Sequence, residues 1–155
     1  MRKVLLLLFL SLTLHSLQAQ DVFLKKGRYY TRETGKPFTG LFTEYDTLTK
    51  QAVSETSVRN GYLDGNTVLY YPSGLKKEVR AYKEGKKHGM WQTWDESGRQ
   101  TAEASFLDGE KDGAWSVWDD QGVRRYEMFY RKGEKTGVWI IRDENGREIS
   151  RETYP

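Results

Sequence analysis

The chain has 155 residues, so it holds at most one ordinary domain, and its many acids and bases nearly cancel to a net charge of +3. It has no cysteine, which excludes disulfides and thiolate chemistry. Lysine and arginine are interspersed with acids, which excludes the clustered basic footprint of a nucleic-acid binder.

The first residues read as a targeting segment. Arg2 and Lys3 precede the mostly apolar run Val4–Leu14, and Leu17-Gln18-Ala19 ends on a small residue. This order predicts a signal peptide over 1–19, cleaved at Ala19/Gln20. The apolar run is well short of the ~20 residues that cross a bilayer, so no membrane insertion is expected after cleavage. The expected location is therefore export, to the periplasm, the cell surface or the medium. Losing Arg2 and Lys3 lowers the net charge from +3 to +1.

Residues 20–60 read as a degenerate N-terminal capping repeat, of the kind repeat proteins need at their ends. GRYYTRETGKPFTG (27–40) holds β-prone runs at Arg28–Arg32 and Phe38–Tyr45, with Pro37 at the start of the second. A third run, Gln51–Arg59, follows a turn at Asp46–Lys50 that lacks glycine.

From 61 to 155 the repeat is regular. GKKHGMWQTWDESG (85–98) returns 24 residues later as GEKDGAWSVWDDQG (109–122), then as GEKTGVWIIRDENG (133–146). A fixed period in this range signals a repeat architecture. Gly74, Gly98, Gly122 and Gly146 are read as structural turn glycines. Asp95, Asp119 and Asp143 stand three residues before them, which predicts type I turns with a following bulge. Asn60-Gly61, Glu84-Gly85, Asp108-Gly109 and Lys132-Gly133 make the second turn of each unit. Glycine so frequent opposes helix, and the Trp, Tyr, Val and Thr content favours strand. The predicted fold is all-β: an elongated, twisted antiparallel meander of stacked β-hairpins, with about eleven strands from Arg28 to Tyr154.

Pairing Asp95 with Arg99 and counting outward assigns the faces. One carries Met90, Gln92, Trp94, Ala102, Ala104 and Phe106, continued by Ala114, Trp118, Tyr126, Met128, Tyr130, Val138 and Ile140. Tyr82, Phe106, Tyr130 and Tyr154 recur along this apolar stripe. The polar face is interrupted by Trp91, Trp115 and Trp139, the candidate recognition row. Such a row can stack on sugars or grip a peptide; the structural alternative is that each Trp lies over the glycines of adjacent strands and shields their backbone. A one-residue slip would exchange the faces.

No nucleophile–base constellation and no metal-ligand spacing is present, so neither enzyme activity nor any metal or cofactor is expected. His88 occupies a turn position filled elsewhere by Asp64, Asp112 and Thr136, and is read as solvated.

The unit Gly-x₃-Gly-x-Trp-x₂-(Trp/Tyr)-x₄-Gly resembles MORN repeats, nearest the bacterial variant whose proteins often carry an antitoxin label. The resemblance covers Gly61 to Tyr154, and Pro37–Gly61 loosely; Thr67 replaces Trp in one copy and Arg142 replaces the second aromatic in the last. It implies a scaffold of stacked hairpins. The expected function is a non-enzymatic scaffold or recognition module at the cell envelope, monomeric, with a protein partner. A glycan-binding module using the Trp row is the first alternative, and an antitoxin-like protein the second. Charges on the terminal runs (Arg28, Arg32, Arg147, Glu148, Arg151, Glu152) are read as protection of open edges.

Overall fold

A computed structural model describes residues 21–155; the expected signal peptide and its cleavage site lie outside the described residues. The described chain is all-β, with twelve strands. β1 (Val22–Lys25) and β2 (Arg28–Thr31) form a separate two-stranded sheet. The other ten strands form one open antiparallel sheet in sequence order: β3 (Gly40–Tyr45), β4 (Ala52–Arg59), β5 (Tyr62–Tyr70), β6 (Lys76–Lys83), β7 (Lys86–Trp94), β8 (Gln100–Leu107), β9 (Glu110–Trp118), β10 (Arg124–Arg131), β11 (Glu134–Arg142) and β12 (Glu148–Tyr154).

The meander is thus as expected from Gly40 onward and broken before it. Pro37 makes only an isolated bridge to Tyr30, and β2 ends there. The edges of the large sheet are β3 and β12, so Arg28–Arg32 is not an edge of it. The hairpin β1–β2 is tied back through Tyr29 by two backbone bonds, Tyr29 N–H to Gly61 O and Phe38 N–H to Tyr29 O, and Gly61 N–H joins the two partners by bonding Phe38 O. A Cβ on Gly61 would stand 2.5 Å from Arg28 Cγ, so only glycine permits this approach.

The turns follow their residues. Gly98 N–H bonds Asp95 O while Asp95 N–H bonds Arg99 O, a type I turn closed by a bulge at Gly98 (φ 84°). Asp95 Oδ1 also accepts from the N–H groups of Ser97 and Arg99, and from the Ser97 hydroxyl. The bonds from backbone N–H groups recur at Asp119 and Asp143. The glycine-less turn uses Asp46 in the same way and puts Lys50 in the left-handed region (φ 60°). The second turns are two-residue type I′ loops, with Asn60, Glu84, Asp108 and Lys132 all near φ 50°. Each is stitched to the repeat before it: Gly85 N–H to Leu63 O, Gly109 to Lys87 O, Gly133 to Lys111 O.

With one layer and, among the described residues, no helix to cover it, little is enclosed. Phe38 and Val58 are the buried apolar residues, beside buried Ser54 and Thr56, all on β4 or just before β3, and Ser116 is buried apart from them in β9. Stability must come from cross-strand pairs and turns.

Two outcomes are expected. Glu84 and Lys132 bear a left-handed cost that Asn bears more easily, so Glu84→Asn and Lys132→Asn should each stabilise by about 0.5–1 kcal/mol in urea unfolding. The Asp95 carboxyl is held down to about 2, first by the Ser97 hydroxyl and then by Arg99. Because its folded value lies below the ordinary one, its contribution is present above about pH 4 and is lost as pH falls through 2. Asp95→Asn should flatten acid unfolding in that window.

Candidate functional site

The Trp residues are placed by two irregularities that recur in every regular unit. The first lies one pair inside the Asp turn. Trp94 pairs with Gln100, but Thr93 pairs with Ala102, so β8 carries one extra residue. The same shift occurs at Leu69/Tyr70, Arg124/Tyr126 and Ile141/Arg142. An extra residue reverses the alternation beyond it. Trp91 therefore sits opposite Ala104, and Phe106 joins the same face.

This corrects the expected faces. Ala102, Ala104, Phe106, Tyr126, Met128 and Tyr130 stand with Trp91 and Trp115, not with Met90, Gln92, Trp94, Ala114 and Trp118. Counting from Asp95 was right for one strand of each hairpin and inverted for the other.

The second irregularity lies at the other end of the strands. Arg80 pairs with Trp91 but Tyr82 with Lys87, so β7 loops out by two residues around Gly89 (φ 87°). β9 does the same around Gly113, where a Cβ would come within 3.1 Å of the Ser105 Cβ. The looped-out stretch faces a carbonyl, and the indole supplies its donor. Trp91 Nε1 donates to Ala81 O at 2.9 Å, Trp115 Nε1 to Ser105 O at 3.0 Å, and Trp139 Nε1 to Phe129 O at 2.9 Å.

The result is one aromatic ladder along the face. It runs Tyr82–Trp91–Phe106–Trp115–Tyr130–Trp139–Tyr154, with neighbouring centroids 5.1–5.4 Å apart and planes tilted 51–61°. Lys87 Nζ lies 4.4 Å from the Trp91 centroid, Lys111 Nζ 4.4 Å from Trp115, and Lys135 Nζ 4.3 Å from Trp139. The three candidate tryptophans are brought into one row as expected, each half-buried. Each is clamped between two other rings, with an ammonium above it. The expected shielding of backbone takes the concrete form of the indole bond.

In β5, Thr67 stands where Trp would be, and its hydroxyl is buried without a partner. There the N-terminal hairpin takes over. Tyr29 lies against Phe42 with centroids 5.3 Å apart and planes tilted 47°, and burial, then the charges of Glu44 and Tyr82, raise its hydroxyl above the usual value. Beside the last repeats, Tyr126, Met128, Trp139, Ile141 and Tyr154 line a shallow groove of about 260 Å³.

His88 is not simply solvated. Its Nδ1 lies 3.2 Å from the Asp108 carboxylate in the next turn. Asp64 and Asp112 accept from the N–H groups of Glu84 and Lys132, and Thr136 donates to Pro155 O. This position clasps one repeat to the next, a role the variety of its side chains hid. Among the described residues, no three His, Asp or Glu side chains are grouped to hold a metal ion.

No family model matches the chain, and neither does any curated protein.

Trp115→Phe keeps the ring and orphans the Ser105 carbonyl, which should cost about 1–2 kcal/mol in denaturant unfolding. Thr67→Val removes a buried unpaired hydroxyl and should stabilise by about 1 kcal/mol.

Proposed function

We propose that the protein is an exported, non-enzymatic repeat module that presents one face of its sheet to a protein partner at the cell envelope. The observation that carries this reading is the single-layer sheet. Among the described residues no second layer backs the later repeats, and large apolar side chains remain exposed on both faces: Tyr126 and Ile141 on the ladder side, Met90 and Phe129 on the other. A regular backbone with such rows is a surface for recognition. The resemblance of the unit to MORN repeats and the signal-like first residues support the scaffold and the export in turn.

The chemistry-bearing side chains are occupied elsewhere. Asp95, Asp119 and Asp143 serve turn N–H groups, and His88 faces Asp108. The geometry favours a protein partner over sugar stacking, because each indole already carries an ammonium over its ring and its N–H is spent on a carbonyl.

Photo-crosslinkers placed at Met90 and at Tyr126, one per face, should yield one discrete adduct from a single face in envelope extract. No adduct from either face would count against the scaffold. Fractionation should recover a chain beginning at Gln20 outside the cytoplasm; an uncleaved cytosolic chain would favour the antitoxin-like alternative.

A further inference from the structure

We infer that the ladder face is a track for an extended acidic peptide in the polyproline II conformation, with a carboxylate at every third residue. This rests on the scaffold reading above and names the chemistry of its partner.

Lys87, Lys111 and Lys135 fill the same position of three successive units, and each ammonium bridges two rings. Lys87 Nζ is 4.4 Å from Trp91 and 4.8 Å from Phe106; Lys111 Nζ is 4.4 Å from Trp115 and 4.6 Å from Tyr130. Lys135 Nζ is 4.3 Å from Trp139 and 4.8 Å from Tyr154, whose hydroxyl accepts from it at 3.2 Å. Lys87 and Lys135 are exposed and Lys111 is half-buried. Among the described residues, none of the ion pairs uses these three ammoniums. On the same face Arg80 is already paired with Glu78. The row is a set of cations outside these ion pairs, with an acid on the same face, Glu152, opposite Trp139, its carboxylate taking the Tyr154 hydroxyl.

Spacing selects the partner. The lysines stand on β7, β9 and β11, alternate strands, so neighbours are about 9–10 Å apart at ~4.8 Å per strand. A polyproline II chain rises ~3.1 Å per residue with three residues per turn, so positions i, i+3 and i+6 share one side at about 9.3 Å. A β-strand returns to one side every ~6.8 Å, which misses the second lysine. A helix comes nearest at i, i+7, about 10.5 Å, and falls out of step by roughly 1 Å per lysine. A polyproline II chain is also pre-formed, so it gives up little conformational entropy on docking.

Shape argues against a flat anionic surface. Adjacent strands rotate by roughly 20–25°, so the four intervals from β7 to β11 wind the row through about 80–100°. A bilayer meets only part of such a row, whereas a peptide can follow it.

The test is fluorescence anisotropy of a labelled peptide of repeated Glu-Pro-Pro against the full chain. Saturable, salt-sensitive binding is expected, weakened roughly tenfold by the combined K87Q, K111Q and K135Q substitutions. The combined K87R, K111R and K135R variant should retain binding, and circular dichroism should show both variants folded. A repeat of Glu-Pro-Pro-Pro, with the charge period broken, should bind more weakly. Equal binding of the two peptides, or no loss in the glutamine variant, would overturn the inference. So would lysine-dependent binding of alginate or of phosphatidylglycerol vesicles when the peptide does not bind. If the glutamine variant still crosslinks the envelope partner as wild type does, the scaffold stands and the acidic track falls.

Discussion

A sheet of one layer has no opposing layer to bury its side chains against, and this constraint governs the rest of the molecule. Here the missing layer is replaced by contacts that run along the sheet. The bond from each indole N–H to a carbonyl beside a looped-out glycine is the pivot. It satisfies a backbone group that the two-residue loop would otherwise leave open, and it lays the indole flat enough to meet the rings of both neighbours. Without the loop at Gly113, the Trp115 ring would have no carbonyl to hold it; without the Trp, the loop would expose the Ser105 carbonyl. The two features require one another.

The ladder also explains the ends. Within the regular units each ring has a ring on either side, so the pattern propagates. At β5 that succession fails, because Thr67 has no ring and leaves its hydroxyl unpaired. The hairpin β1–β2 makes up for the loss by bringing Tyr29 against Phe42 and toward Tyr82, while Arg28 caps Tyr62 at 5.0 Å. The small buried cluster of Phe38, Val58, Ser54 and Thr56 belongs to this junction. It gathers most of the enclosed side chains at the N-terminal end, while the later repeats enclose Ser116 and otherwise leave large side chains exposed on both faces.

Much of the fold was legible because its turns are local. Asp95 with Gly98, and Asn60 with Gly61, carry their conformation in two to four residues, and the 24-residue spacing repeats them. The strands from β2 onward number the eleven expected; β1 was missed, since Val22–Lys25 is four residues without alternation. The faces were not legible. Turn chemistry fixes the pairing of Asp95 with Arg99, but the extra residue one step further in carries no glycine or proline to announce it, and it inverts the strand. The break between β2 and β3 depends on where a distant Gly61 docks, and the clasp at His88 depends on which turn comes to lie beside it. Such facts are tertiary. The tryptophans fall in one row that their spacing makes visible, while the lysines that cover them are not legible, because the sequence places them four residues away and the sheet places them overhead.

The tryptophans and the Phe/Tyr residues of alternate strands form a single ladder on one face. Nuclear Overhauser contacts of the Trp115 indole test it most directly. The expected result is cross-peaks from that indole to the ring protons of both Phe106 and Tyr130, with slow exchange of its Nε1 proton. An indole that shows neither ring, and exchanges as freely as tryptophan in water, would contradict the ladder and restore the two-faced arrangement that counting alone suggests.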